Sequence, residues 1–195
     1  ASTRLAWTAG LSFDVRVVGP GQTIPDDVEY LYWVGCAGAS DDRARHTTRA
    51  IAELLHLAGV SFAVLGPQET CTGDPARRIG NEFVYQTLAQ RNVATLTDAG
   101  ARKIVATCPH CFNTSGREYP QLGGHFDVVH HSQLLEQLVA QGRLAPAAPV
   151  EMAVTYHDPC FLGRHNNVYD QPRSVLSAVP GLTAAEMPRC RGRGF

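Results

Sequence analysis

Four cysteines at regular intervals constrain the fold of this chain more than any other feature. Cys36 and Cys71 have 34 residues between them, Cys71 and Cys108 have 36, and Cys111 completes a Cys-Pro-His-Cys segment. A short apolar run typical of a buried strand precedes Cys36, Cys71 and the Cys108–Cys111 pair. Because the loops at the carboxyl ends of parallel strands open on the same side of a sheet, these thiols can meet at one point. Clustered sulfur ligands select zinc or an iron–sulfur centre over harder ions.

Strand-like and helix-like segments alternate along the chain. Strands are predicted at 14–18, 30–34, 62–65, 104–106, 126–129, 152–156 and 183–187, and helices at 41–58, 75–91, 134–139 and 168–178. This alternation predicts an α/β fold with a mostly parallel sheet and flanking helices.

The pattern begins a second time after an alanine- and proline-rich linker at 144–149. The run that ends at Cys160 corresponds to the run that ends at Cys36, at an offset of 124. We therefore predict two pseudo-repeats, the second of them incomplete: a lead-in segment at 1–27, a first cysteine-rich repeat with a complete ligand set at 28–143, and the opening part of a truncated second repeat at 150–195. The counterpart of Cys71 is expected at about 193–195 or beyond, in a longer protein of which this chain is a segment.

Composition narrows the class of protein. The formal net charge is −1 and there is no run of like charges, which argues against a nucleic-acid partner. No apolar stretch reaches the roughly 20 residues of a membrane helix, and no signal-peptide pattern opens the chain. Six cysteines in a chain of alternating strands and helices favour reduced thiols in the cytoplasm over a secreted disulfide scaffold.

The Cys108–Cys111 pair has the most specific local pattern. Both thiols can face one metal from a strand-to-helix turn, where free N–H groups stabilise thiolate charge. A redox dithiol shares this spacing, and two unconnected buried cysteines are a third interpretation, but Cys36 and Cys71 at matching loop positions favour metal ligation.

Other candidates carry weaker signals. Cys160 matches Cys36 by repeat position, whereas Cys190 lies before the expected ligand loop and is interpreted as incidental. For His130, His131 and His157, which end predicted strands, a structural role and a site role both stay open.

The cysteine motifs together resemble the cysteine-rich (CCG-type) domain of the disulfide-cleaving subunit of heterodisulfide reductase, a domain that also occurs in iron–sulfur subunits of glycolate and lactate oxidases. The residues that carry the resemblance are Cys36, the segment Cys71-Thr72-Gly73-Asp74, and Cys108-Pro109-His110-Cys111. Segments 32–38, 69–74 and 155–160 also resemble bacterial membrane-bound iron–sulfur oxidoreductases. Those proteins accept electrons from electron-transfer flavoprotein during fatty-acid β-oxidation and pass them to quinone.

The resemblance implies an iron–sulfur electron-transfer domain of an oxidoreductase, relaying electrons from a flavoprotein toward quinone. It implies that Cys36, Cys71, Cys108 and Cys111 bind a [4Fe–4S] cluster, and that Cys160 is a cofactor-binding cysteine of the second repeat. It further implies ferredoxin-like and membrane parts in the same longer chain, and a location in the cytoplasm at the cytoplasmic face of the plasma membrane.

One position departs from the family pattern, and it bears on the type of cluster. Thr72 stands where the family has the second cysteine of Cys-Cys-Gly. Four thiolates fit a cubane cluster rather than the five-cysteine non-cubane cluster that cleaves a disulfide. Two alternatives stay open: a structural zinc site on the same four cysteines in a docking module, and a disulfide-reducing domain like that of heterodisulfide reductase.

Overall fold

The apolar runs of the first half form a five-stranded sheet. In the computed structural model, which describes residues 2–191, its strands are β1 (Arg16–Val17), β2 (Tyr30–Trp33), β3 (Phe62–Val64), β4 (Lys103–Ala106) and β5 (Asp127–His130). The strand order is β1-β3-β2-β4-β5, and β2 lies parallel to both β3 and β4. β1 is also parallel to β3. The predicted α/β fold with a mostly parallel sheet is therefore confirmed.

Helices follow the strands. They are α1 (Gly35–Ser40), α2 (Asp42–Leu57), α3 (Asp74–Arg78), α4 (Glu82–Asp98) and α5 (Pro109–Asn113), with a π-helical turn at Thr114–Glu118 and 3-10 helices at Ser2–Thr8, Gly66–Gln68 and Tyr119–Leu122. Asp41 caps α2, because its carboxylate accepts the N–H of Ala44 at 2.8 Å. α1 starts almost directly after β2, so Cys36 lies in the first turn of a helix rather than in the predicted loop.

The three central strands form the core of the sheet. Their fully buried side chains, all at most 1% exposed, are Leu31, Tyr32, Ala63, Val64, Ile104, Val105 and Ala106. Burial of consecutive residues means that both faces of the sheet are covered, as is usual for parallel sheets with helical crossovers.

The predicted helix over 75–91 is wrong in its bounds. Two helices occupy this region, α3 and α4, because Gly80 adopts a φ of +83° and interrupts the helical path. Asn81 then caps α4 by accepting the N–H of Val84 at 3.2 Å. α4 continues to Asp98, seven residues past the predicted end.

The lead-in segment has more structure than its sequence indicates. Its 3-10 helix Ser2–Thr8 places Trp7 in the core, 1% exposed. The indole ring packs edge-on against Tyr32 with 6.1 Å between ring centroids. This segment is therefore an integral part of the first unit.

The chain divides into two units, up to Val129 and from His130 onward. The second contains α6 (His131–Ala140), β6 (Met152–Val154), α7 (Asp170–Ser177) and β7 (Leu182–Ala184). β6 and β7 pair in parallel, and α6 packs against α7. The proposed repeat boundaries stay a prediction, and the expected counterpart of Cys71 at 193–195 lies outside the described residues. Within residues 2–191, no helix is long and apolar enough to span a membrane.

We expect faster hydrogen exchange in β6 and β7 than in β2 and β4. An isolated pair of short strands is marginal, and Met152 and Ala153 are exposed, whereas β2 and β4 are buried between neighbours. Exchange followed by mass spectrometry compares all four strands in one sample, so β2 and β4 are the internal control. Equal protection of the two sheets would contradict the expectation that the two-stranded sheet is the less stable one.

Candidate metal centre

Loops at the carboxyl ends of three adjacent strands bring the four predicted cysteines to one cavity. Cys36 follows β2, Cys71 follows β3, and Cys108 and Cys111 follow β4. All four line a cavity of about 650 Å³. Cys36 is exposed, Cys71 and Cys108 are half-buried, and Cys111 is buried. The convergence expected from parallel pairing is present.

The thiols influence one another in two neighbouring pairs. Burial and then the charge of Cys71 raise the pKa of Cys36, while Arg4 lowers it. A hydrogen bond from Cys111, together with N–H groups at the start of α5, lowers the pKa of Cys108. The pKa of Cys111 is raised by Cys108 and by burial. In the absence of a metal the cavity thus favours a thiolate at Cys108, whereas metal binding would require thiolates at all four positions.

These thiols border a cavity rather than a single point. Among residues 2–191, no three Cys, His, Asp or Glu side chains are drawn together closely enough to hold one metal ion. The four cysteines therefore provide the ligands of a thiolate site, with open space between their sulfur atoms.

Two buried side chains outside the cysteine motifs fix the Cys71 loop. Asn92 of α4 donates to the Cys71 carbonyl at 2.8 Å and accepts the Thr70 hydroxyl at 2.8 Å. The Tyr119 hydroxyl donates to the Thr72 carbonyl at 3.2 Å and accepts from Asn92 at 3.1 Å. Asn92 is 1% exposed and Tyr119 is fully buried. The loop that carries Cys71 is thus held by hydrogen bonds to two buried side chains, while Thr70 and Cys71 themselves are half-buried.

Neither of these two residues was among the candidates from the sequence. A signal for Asn92 exists, because it shares the apolar face of α4 with Ala89 and Leu96, and a polar residue at such a position needs a buried partner. The signal for Tyr119 is weaker, since it lies in a 3-10 helix without a periodic pattern.

Thr72 and Gly73 show how the departure from the family pattern is accommodated. Thr72 is 3% exposed, and its hydroxyl lies 4.0 Å from Cys111 Sγ. Gly73 has a φ of +87°, and a Cβ there would lie 3.0 Å from the ring of Tyr85. Glycine is therefore required for the close turn into α3, while Thr72 puts an oxygen beside the cavity thiols.

A charged network joins the Cys71 loop to the Cys108 segment. Asp74, 2% exposed, lies 2.7 Å from Nδ1 of His110 and accepts the Thr114 hydroxyl at 3.3 Å. Arg78 approaches Asp74 at 3.2 Å and Glu118 at 2.6 Å. These contacts fix α3 against α5, and with them the relative positions of two cysteine-bearing segments.

A buried carboxylate fixes the start of α1, where Cys36 lies. Glu69 accepts the N–H of Val34 at 3.1 Å and that of Gly35, and it pairs with Arg4 at 3.2 Å. Burial raises the pKa of Glu69 to about 7, against the opposing effects of Arg4 and the two N–H groups. A carboxylate here binds the unpaired N–H groups of a helix start.

The remaining candidates lie in the second unit. Cys160 is exposed and Cys190 is half-buried. His130 has a structural role, because its Nδ1 accepts the Ser132 N–H at 3.4 Å as the N-terminal cap of α6. His131 packs against His130 with 4.2 Å between ring centroids, and His157 is exposed.

Replacing Asn92 by leucine should lower the free energy of unfolding by about 1–3 kcal/mol, because it removes the partner of the half-buried Thr70 hydroxyl and Cys71 carbonyl and a donor to the buried Tyr119 hydroxyl. Urea unfolding of the metal-free chain under reducing conditions measures this loss. Thr87→Val on the exposed face of α4 is the matched control and should change stability by less than about 0.5 kcal/mol. Equal stability of the two variants would contradict the role assigned to Asn92.

Comparisons with known proteins agree with this geometry. The family described as Cysteine-rich domain (CCG) matches residues 30–114 and 154–194, more than half of the chain. The first matched segment contains all four cavity cysteines, and the second contains Cys160 and Cys190.

Three similar proteins illustrate the relationship. EtfAB:quinone oxidoreductase of Syntrophomonas wolfei is 47% identical over 88% of this chain and 24% of its own length. The protein named "Probable iron-sulfur-binding oxidoreductase FadF" of Bacillus subtilis is 45% identical over 87% of this chain and 24% of its own length. One of the subunits of dihydromethanophenazine:CoB–CoM heterodisulfide reductase from Methanosarcina mazei is 37% identical over 89% of this chain and 44% of its own length.

The chain spans about a quarter of the length of the first two of these relatives. No solved structure matches it. The family match covers both cysteine-bearing stretches, and its first segment includes every loop that contributes a thiol to the cavity. This chain belongs to the CCG cysteine-rich domain family.

Proposed function

We propose that the chain is an iron–sulfur electron-transfer domain of an oxidoreductase, with Cys36, Cys71, Cys108 and Cys111 as the ligands of one [4Fe–4S] cluster. The observation that carries the proposal is the convergence of these four thiols, from three strand-end loops, on one cavity. Four cysteine thiolates are the usual donor set of a cubane cluster. When bound, such a cluster supplies reversible one-electron transfer.

The names of the relatives support electron flow from a flavoprotein toward quinone. One relative is an EtfAB:quinone oxidoreductase, and another is named as an iron–sulfur-binding oxidoreductase. We infer that a flavoprotein of the electron-transfer type is the donor and that electrons continue toward quinone through other parts of a longer protein at the cytoplasmic face of the membrane. Cys160 then belongs to the second repeat, as a cofactor-binding residue that needs partners beyond the described residues.

Thr72 favours electron relay over disulfide cleavage. The disulfide-cleaving proteins that this sequence resembles use five cysteines, and here the fifth position carries a buried hydroxyl. The four remaining thiols match the requirement of a cubane cluster without an additional ligand.

A structural zinc site would use the same donors, but its geometry differs. Tetrahedral zinc requires four sulfurs about 2.3 Å from a single point. The cavity that the four thiols line has a volume of about 650 Å³, which gives room for a multi-atom cluster.

Serine at Cys108 or at Cys111 should remove most of the iron from anaerobically reconstituted protein. The parent chain should hold about four irons and about four sulfides, and loss of one thiolate ligand opens the cluster to solvent. Iron and sulfide analysis, together with the visible absorption spectrum, measures the loss.

Cys190→Ser is the matched control, because Cys190 lies in the second unit and is not among the residues that line the cavity, and it should keep the full iron content. A full complement of iron in Cys108→Ser would contradict the assignment of Cys108 as a cluster ligand. A colourless parent chain that holds one zinc would instead support the docking-module alternative.

A further inference from the structure

Arg4 lies outside the cysteine motifs and outside the matched family segments, yet it reaches a proposed ligand. Its Nη2 lies 3.6 Å from Cys36 Sγ, and its Nη1 lies 3.2 Å from Glu69 Oε1. We propose that Arg4 is a positioning residue of the site, which orients Cys36 and places a positive charge beside it that favours the reduced state of a bound cluster. This inference rests on the proposed function.

The position of Arg4 is fixed by the packing of the residues that follow it in the sequence. Trp7, three residues on, is buried against Tyr32. Leu5 packs so closely over Gly66 that a Cβ on this glycine would lie 3.2 Å from a Leu5 methyl group. At the end of the segment, Arg49 of α2 donates to the Ala9 carbonyl. The 3-10 helix is therefore packed against the rest of the first unit, and it holds Arg4 beside the cysteine site.

Glu69 determines the direction in which the guanidinium points. Its side chain is 2% exposed and is held by the N–H groups of Val34 and Gly35 at the start of α1. One guanidinium nitrogen pairs with this carboxylate and the other faces Cys36, an arrangement that the planar fork of arginine permits and a lysine ammonium provides less well. Arg4 therefore links the carboxylate at the start of α1 with the thiol in its first turn.

The charge of Arg4 has a predictable effect on electron transfer. Reduction adds one electron, supplied by the flavoprotein donor, and no bond to the cluster forms or breaks. The added negative charge is stabilised by a nearby cation, and the Arg4 side chain is only 23% exposed, so solvent screens it incompletely. Hydrogen bonds and net charge around the cysteine sulfurs are established determinants of cluster potential.

The test is a redox titration of the anaerobically reconstituted whole chain, followed by electron paramagnetic resonance. Arg4→Gln should keep the iron content of the parent and shift the midpoint potential to a more negative value. Arg4→Lys, which retains the charge, should restore the potential most of the way toward that of the parent. Arg16→Gln is the matched control, since Arg16 lies in the same lead-in segment and pairs with the exposed Asp27 at 2.7 Å.

The outcomes separate this inference from the proposed function. An Arg4→Gln potential equal to those of the parent and of Arg16→Gln would overturn the role of Arg4 while leaving the cluster assignment intact. A parent chain that binds no iron would overturn the proposed function itself. If Arg4→Gln cannot hold a cluster, the measurement on Arg4→Lys is used instead. An iron content and midpoint potential of Arg4→Lys equal to those of the parent would support the role of the charge. Loss of iron from Arg4→Lys as well would contradict that role.

Discussion

Parallel pairing of β2 with both β3 and β4 is the constraint on which the site depends. It aligns the carboxyl ends of three strands, so the segments that leave them share one edge of the sheet. Cys36, Cys71, Cys108 and Cys111 meet there, although up to 75 positions of sequence separate them. The buried apolar side chains of the central strands stabilise this arrangement, because folding removes them from water on both faces of the sheet. The geometry of the cavity thus follows from the hydrophobic core beneath it.

Around the cavity, each cysteine-bearing segment is fixed by a buried polar group from another part of the chain. Asn92 holds the Cys71 loop, Asp74 joins this loop to His110, and Glu69 binds the start of the helix that carries Cys36. Such groups are stabilising only when they are paired, because an unpaired polar group in the interior costs the full energy of desolvation. Because these groups are paired, they hold each cysteine-bearing segment, and with it the thiol, in one defined position. This is what an electron-transfer site requires, since reorganisation on reduction slows the transfer.

The sequence predicts the sheet and the convergence of thiols well, because both follow from local patterns. Short apolar runs give the strands, and alternation with helices gives the parallel order. The helix at 75–91 is mispredicted because the break depends on a single glycine with positive φ, Gly80. The supporting residues escape prediction for a different reason. Arg4 and Glu69 are 65 positions apart, and Asn92 and Cys71 are 21 apart. Such pairs exist only once the fold has formed, and no periodic pattern in either segment indicates its partner.

Our central claim is that four thiolates from three strand-end loops bind one cubane cluster. Mössbauer spectroscopy of the anaerobically reconstituted chain, loaded with isotopically enriched iron, tests it most directly. We predict that all bound iron occupies tetrahedral sulfur sites with delocalised valence and becomes paramagnetic after the uptake of one electron. Iron in nitrogen or oxygen coordination, or a spectrum of isolated single irons, would contradict the claim.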